Sequence, residues 1–65
     1  MIKPKKKPTV SSNIDGNAYA IMAITEKALR KAGADNEYIE QYRTEAMKGD
    51  YNHLLSTTMN YVSFN

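Results

Sequence analysis

The residues with the clearest potential for chemistry are Asp50, His53 and Ser56, which recur at every third position near the C-terminus. These are the residue types of a nucleophile, its general base and the group that orients the base. Successive steps of three residues drift by about 60° around an α-helix, so the trio spreads over a third of the circumference. No glycine-rich or strained turn beside Ser56 supplies an oxyanion hole. We therefore predict no catalytic residues and no enzymatic activity, with Asp50 as a helix cap and His53 as a partly exposed first-turn residue.

A second constellation, Asn13, Asp15 and Asn17, alternates like the first ligands of an EF-hand loop. Gly16 stands at the fourth position instead of the sixth, and Ile24 replaces the bidentate glutamate. The chain has one histidine and no cysteine, which leaves a structural zinc site without ligands. The sequence predicts no metal and no cofactor. An anion at this helix N-terminus is an alternative, although Asp15 would repel it and a plain cap is simpler.

Basic side chains form a third group. Lys27, Arg30 and Lys31 are three and four residues apart, which places three cations on one patch of a helix, with Glu26 partly neutralising Arg30. The patch is either a solvated surface or a site for phosphate, which Lys48 or the N-terminal lysines can join after folding. The anion-binding residues that we predict are Lys27, Arg30, Lys31, Tyr51 and His53.

The N-terminus carries four more lysines, Lys3, Lys5, Lys6 and Lys7, interspersed with two prolines. This composition predicts a flexible basic tail over residues 1–8, followed by a small helical domain over residues 9–65. The net charge of +2 comes from this tail, because the rest of the chain has five basic and seven acidic residues. Lysines bind the phosphate backbone whatever its sequence, so weak nonspecific nucleic-acid binding is one prediction.

Five tyrosines are many for 65 residues, and Tyr38 and Tyr42 must share one helical face. Tyrosine suits both a half-exposed core and an interface, and both interpretations stay open for Tyr38, Tyr42 and Tyr61. Base stacking by Tyr51 or Tyr61 is a further alternative, without an RNA-binding signature beside it. Residues 51–61 contain no arginine or lysine, which argues against a recognition helix for specific DNA.

Three helices must position these side chains. The first begins near Ala18, capped by Asp15 or Asn17, and ends at about Ala32 before Gly33. The second follows Asp35 and runs to about Lys48, and the third follows Asp50 and runs to Val62. Each has one apolar stripe at helical spacing. The stripes are Ala18, Ile21, Met22, Thr25, Ala28, Leu29 and Ala32; Tyr38, Ile39, Tyr42 and Ala46; and Tyr51, Leu54, Leu55, Thr58, Met59 and Val62.

These elements predict a mainly α protein, a compact three-helix domain preceded by a basic, extended N-terminal arm. A short strand within residues 8–12 needs a partner from the same chain or from another copy, and the end of the chain is expected to fray or to add a short extended piece. A domain this small without disulfides is often stabilised by self-association, so we expect a homo-oligomer. No segment resembles a membrane span or a signal peptide, and we predict a cytoplasmic protein without a membrane partner.

Three segments carry a family resemblance: residues 15–21 (DGNAYAI), 28–33 (ALRKAG) and 49–55 (GDYNHLL). They resemble short uncharacterised proteins of bacteriophages and bacterial mobile elements, with Tyr19 and Asn52 where phenylalanine and aspartate are expected. The resemblance implies a non-enzymatic protein that acts stoichiometrically in counter-defence, by blocking a host protein or by sequestering a nucleotide signal in an oligomer. The alternatives are a nonspecific nucleic-acid-binding accessory protein that uses the lysine tail, and a minor structural or assembly protein.

Overall fold

The computed structural model describes residues 1–11 and 16–65 and shows three helices and two short strands. In chain order they are β1 (Thr9–Val10), α1 (Ala18–Lys31), α2 (Asn36–Ala46), α3 (Tyr51–Tyr61) and β2 (Ser63–Phe64). The predicted mainly α fold, with three helices and a short N-terminal strand, is confirmed. Asn13 and Asp15, which were considered as metal ligands or caps, lie outside the described residues.

Each helix begins at a side chain that accepts backbone N–H groups. Asn17 caps α1 by accepting from Tyr19 at 2.8 Å and Ala20 at 3.4 Å. Asp35 caps α2, and Asp50 caps α3 by accepting from the backbone N–H of His53 at 2.9 Å. Such caps satisfy N–H groups that have no partner within the helix, which is why Asn and Asp are preferred there.

The helix ends differ slightly from prediction. Gly33 has a φ of +105°, a conformation that L side chains rarely adopt, and it terminates α1 as expected. α2 ends at Ala46 instead of Lys48, because the chain tightens into a turn in which the Lys48 N–H bonds to the Glu45 carbonyl at 3.2 Å. This turn brings Gly49 and Asp50 into position to start α3.

The core lies where the three apolar stripes meet. From the predicted stripes, the buried residues are Ile21, Met22, Thr25, Leu29, Ile39, Tyr42, Ala46, Leu54, Thr58 and Val62. The stripe of α3 is rotated from its predicted position, because Thr57 is buried whereas Tyr51 and Met59 remain exposed. α3 therefore turns its Thr57 edge toward α2.

The sequence left open whether the N-terminal strand pairs within the chain or with another copy. β1 and β2 pair in parallel within one chain, with Thr9 opposite Ser63 and Val10 opposite Phe64. The Ser63 N–H donates to Pro8 at 2.9 Å and the Asn65 N–H donates to Val10 at 3.1 Å. β1 thus finds its partner in the C-terminal extended piece, so an unpaired strand no longer argues for self-association.

The N-terminal arm is held against the connection between α1 and α2. The Ile2 N–H donates to the Asp35 carboxylate at 2.9 Å, and the Asp35 N–H donates to the Ile2 carbonyl at 3.1 Å. Hydrogen bonds from the backbone N–H groups of Tyr38 and Ile2 hold the pKa of Asp35 below its ordinary value, against an opposing effect of desolvation. In the described part of the chain, no helix is both long and apolar enough to span a membrane.

Candidate functional site

An open groove of about 440 Å³ lies between α2 and α3. Tyr38, Gln41 and Glu45 project into it from α2 at intervals of three and four residues, so they share one face. The facing residues of α3 are His53, Ser56, Thr57, Asn60 and Tyr61, and Lys3 of the arm completes the lining. The α2–α3 groove extends over two helical turns, or roughly 10 Å.

One end of the groove is aromatic. The rings of Tyr38 and Tyr61 lie 5.3 Å apart at 59°, and Tyr61 also meets the buried Tyr42 edge-on at 5.1 Å. Gln41 donates from Nε2 to the Tyr61 hydroxyl at 3.1 Å. Burial raises the pKa of Tyr38, and the neighbouring Tyr61 adds to this. Tyr38 therefore stays a neutral hydroxyl at physiological pH, next to an apolar ring face.

The other end is organised by His53. Its Nε2 lies 2.9 Å from the Glu45 carbonyl oxygen and 3.3 Å from the Thr57 hydroxyl. A carbonyl oxygen only accepts, so this arrangement places a proton on Nε2. The His53 side chain lies directly over Gly49, where an added Cβ would be 2.8 Å from the Cβ of His53. Gly49 is thus required for the position of the imidazole.

Charges are distributed unevenly along the groove. The Glu45 carboxylate accepts a hydrogen bond from Lys48 at 2.9 Å, and this bond is the main reason that the pKa of Glu45 is lowered. Glu45 is therefore a paired anion at the His53 end. Lys3 brings a cationic side chain to the groove from the arm. The groove combines aromatic rings, amides, hydroxyls and one lysine, which suits a small planar ligand with an anionic group.

A second concave surface is apolar and lies where α1 begins and α2 ends. We name it the apolar cleft; it measures about 260 Å³. Tyr19, Met47 and Tyr51 border it with 76%, 58% and 44% of their surface exposed. The Tyr51 hydroxyl donates to the Gly16 carbonyl, which fixes its ring at the edge of the cleft.

The predicted anion patch on α1 is only partly assembled. Lys27 and Lys31 line one cleft of about 300 Å³ beside residues 9–11. Arg30 instead donates to the Asn36 side chain at 2.7 Å. The expected neutralisation of Arg30 by Glu26 is wrong, because Glu26 accepts from Arg43 of α2, with Nε at 3.1 Å from the carboxylate.

The predicted site residues are therefore divided among several surfaces. Lys3, Tyr38, His53 and Tyr61 come together at the α2–α3 groove. Lys27 and Lys31 lie beside β1, Tyr51 borders the apolar cleft, and Lys5 and Lys6 line a further cleft beside Ala32 and Gly33. Lys7 is exposed on the arm.

The predicted role of Tyr42 as an interface residue needs correction. It is fully buried in the core and its hydroxyl lies 2.8 Å from Thr58 Oγ1, so it has no surface to offer a second copy. For Tyr42 the core interpretation holds, whereas Tyr38 and Tyr61 are half-buried.

Sequence reasoning missed two polar residues that line the groove, Gln41 and Asn60. The spacing of residues in the sequence did contain a signal for both of them. Gln41 follows Tyr38 by three residues and Asn60 follows His53 by seven, so each shares a helical face with a residue that was singled out. Which faces oppose each other depends on how α2 and α3 are rotated, and the sequence pattern did not fix that rotation.

Among residues 1–11 and 16–65, no three histidine, aspartate or glutamate side chains approach one another as a metal site would require. Comparison of the chain with protein-family models, curated proteins and solved structures finds no match.

Proposed function

We propose that this chain is a non-enzymatic binding protein that holds a small nucleotide in the α2–α3 groove. The observation that carries the proposal is the convergence of Tyr38, Tyr61, Gln41, Asn60 and Lys3 on one cavity of about 440 Å³. A well-formed pocket with a few convergent polar groups is the first place to look for a ligand.

Each group matches one part of a nucleotide. A base stacks on a tyrosine ring, because every base offers a π-face and aromatic stacking is worth about 1–3 kcal/mol. The amides of Gln41 and Asn60 both donate and accept hydrogen bonds, as recognition of a base edge requires. Lys3 supplies the positive charge for a phosphate. The ligand is therefore expected to have a planar heterocycle and a phosphate within the length of the groove.

Binding without turnover is supported by the contacts of Asp50 and His53. The Asp50 carboxylate accepts the backbone N–H of His53 and so caps α3. The His53 ring is engaged by the Glu45 carbonyl and the Thr57 hydroxyl. Asp50 orients the helix and not the imidazole, so these residues do not form a relay to Ser56.

The biological setting follows from the resemblance to short phage and mobile-element proteins. A protein that binds a nucleotide without consuming it acts in proportion to its amount, as a counter-defence protein that sequesters a host signal would. The groove is open on one side, and a second copy placed over it would enclose the ligand. We therefore propose a homo-oligomer as the sequestering form in the host cytoplasm.

A second candidate, the blocking of a host protein, is favoured by the apolar cleft. Exposed tyrosine and methionine side chains are enriched at protein interfaces, and Tyr19, Met47 and Tyr51 gather around one concavity. A partner that inserts an apolar side chain there would bury all three.

Native mass spectrometry with an equimolar pool of cyclic and linear nucleotides tests the proposal, followed by calorimetry on any nucleotide that is retained. We expect Asn60→Ala to weaken its binding about 5- to 10-fold, the effect of losing one net hydrogen bond of roughly 1 kcal/mol. Asn52→Ala is the matched control, since Asn52 is an exposed asparagine on α3 outside the groove. Equal effects of the two substitutions, or no retained nucleotide, would reject the groove as the site and direct the search to the apolar cleft.

A further inference from the structure

We propose that the N-terminal arm and the outer face of α1 form one surface that binds the phosphate backbone of double-stranded nucleic acid. The surface, named the lysine face, comprises Lys5, Lys6, Lys27 and Lys31. It does not depend on a ligand in the α2–α3 groove. The sequence indicated a flexible basic tail and a helical patch that the tail lysines could join after folding, without showing which lysines meet.

The arm is fixed at both ends. Near its start, Ile2 exchanges two hydrogen bonds with Asp35, at 2.9 and 3.1 Å. At its other end, Val10 is buried and β1 pairs with β2. The segment between these anchors therefore has a defined path along the protein, which reduces the conformational entropy that binding must remove.

That path runs beside α1 and opposite to its direction. Lys5 and Lys6 border the end of α1 at Ala32 and Gly33, in a cleft of about 390 Å³. Residues 9–11 border Lys27, which lies more than one turn before that end, and Lys31, the last residue of α1. Lysines from the arm and from α1 consequently follow one another along one side of the molecule.

In the described part of the chain, carboxylates do not compensate the charge of the lysine face. The ion pairs of the described structure use Arg43, Lys48 and the terminal amino group, which engage Glu26, Asp35, Glu37, Glu40 and Glu45. Within residues 1–11 and 16–65, none of the four lysines of the lysine face pairs with a carboxylate, and all four are exposed. A positive field therefore concentrates on this side, although the whole chain has a net charge of only +2.

The chemistry of the face favours a nucleic-acid backbone. It presents lysines without aromatic or amide side chains among them, so it can contact phosphates but cannot read bases. Lys27 and Lys31 lie one helical turn apart, about 6 Å along the axis, and the arm extends the row. A duplex is a stiff polyanion with one negative charge per about 1.7 Å of its axis, so it offers several phosphates to such a row at once.

The number of phosphate contacts is measurable from the salt dependence of binding. Each contact contributes about −0.9 to the slope of log K against log salt concentration on duplex DNA. The binding of a fluorescent random-sequence duplex would be followed by anisotropy between 50 and 200 mM salt. We expect Lys27→Gln/Lys31→Gln and Lys5→Gln/Lys6→Gln each to make the slope shallower by about 2.

Lys48→Gln is the matched control, because Lys48 lies on the α2–α3 connection and pairs with Glu45 of α2. We expect this substitution to leave the slope unchanged. Asn60→Ala should also leave duplex binding unchanged, which separates this surface from the groove. An unaltered slope in Lys27→Gln/Lys31→Gln would overturn the joint surface, since the arm would then bind alone. Absence of duplex binding, or binding to anionic phospholipid vesicles or a polyglutamate peptide in its place, would overturn the assignment to nucleic acid.

Discussion

At the scale of single residues, the buried hydroxyl groups of the core differ in their hydrogen bonds. Thr58 donates from Oγ1 to the Leu54 carbonyl at 2.8 Å, and its one hydroxyl hydrogen is thereby used. Its contact with the Tyr42 hydroxyl at 2.8 Å must therefore be donated by Tyr42. Thr25 Oγ1 is equally buried and makes no hydrogen bond of good geometry among the described residues, although it lies close enough to the Tyr42 hydroxyl to lower the pKa of Tyr42.

This difference predicts opposite outcomes for two identical substitutions. Thr58→Val should lower the free energy of unfolding by about 1–3 kcal/mol, because it leaves the Tyr42 hydroxyl buried without an acceptor. Thr25→Val should be neutral or stabilising, because it removes a hydroxyl whose desolvation is not compensated. Urea denaturation of both variants measures the two values. Similar losses in both would show that the Tyr42–Thr58 pair is not specially stabilising.

Tyr42 also predicts a dependence of stability on alkaline pH. Burial is the largest influence on the pKa of Tyr42 and raises it above the ordinary value of 10.0, outweighing the nearby Thr58 and Thr25 hydroxyls, which lower it. Because the folded-state pKa exceeds the unfolded one, the folded chain keeps this proton longer. The resulting stability is complete below about pH 10 and is lost as the pH rises through the folded-state pKa.

Urea denaturation between pH 8 and 11 measures this dependence. Tyr42→Phe should show a shallower decline of the unfolding free energy over that range than the unmodified chain. Tyr19→Phe, at a largely exposed position, should keep the full decline. If both variants decline alike, burial of the Tyr42 hydroxyl is not the cause.

At the scale of helices, local signals decide where each element begins. The caps Asn17, Asp35 and Asp50 were predictable because each satisfies nearby backbone groups and depends on only a few residues. For α1 the sequence offered Asp15 and Asn17 as caps, and the structure shows Asn17.

Asn17 gives a direct test of this cap. Asn17→Ala should cost about 1 kcal/mol of unfolding free energy, since it removes the acceptor for the Tyr19 and Ala20 N–H groups. Asn52→Ala, an exposed substitution inside α3, should change stability by less than about 0.5 kcal/mol. Equal losses in the two variants would mean that Asn17 does not act as a cap.

The connection between α2 and α3 yields a prediction about the groove. Gly49→Ala places a Cβ 2.8 Å from the Cβ of His53, so one of the two must move. We expect a loss of stability and a changed environment for the His53 imidazole, visible in its NMR resonances. Gly16→Ala is the control, because the contact that its added methyl group makes among the described residues is with the Tyr51 hydroxyl, at an ordinary 3.4 Å. Unchanged His53 resonances in Gly49→Ala would contradict the packing described.

At the scale of the whole molecule, the features that the sequence did not predict are those that depend on distant parts of the chain. The pairing of β1 with β2 joins residues more than fifty positions apart, and no local pattern encodes that partner. The groove likewise depends on the rotation of α3, which buries Thr57 and exposes Met59. Helical periodicity identifies a face only to within about one residue step, so Gln41 and Asn60 could not be paired in advance.

The positions of the three candidate binding surfaces are also a property of the whole molecule. The α2–α3 groove, the apolar cleft and the lysine face are built from different residues, so substitutions can address them separately. Lys3 connects two of these surfaces, because it lines the groove and also the cleft that Lys5 and Lys6 border at the end of α1. A ligand phosphate held by Lys3 would therefore lie next to the arm that carries the lysine face.

The most direct test of the proposed function is an NMR titration with the nucleotide that native mass spectrometry retains. The side-chain amide resonances of Gln41 and Asn60 report on the groove, and those of Asn52, which lies on α3 outside the groove, serve as an internal control. A site in the α2–α3 groove predicts saturable shifts of the Gln41 and Asn60 amides and of the His53 ring, with Asn52 unchanged. Shifts confined to Tyr19, Met47 and Tyr51, or no saturable shifts, would contradict the groove as the binding site.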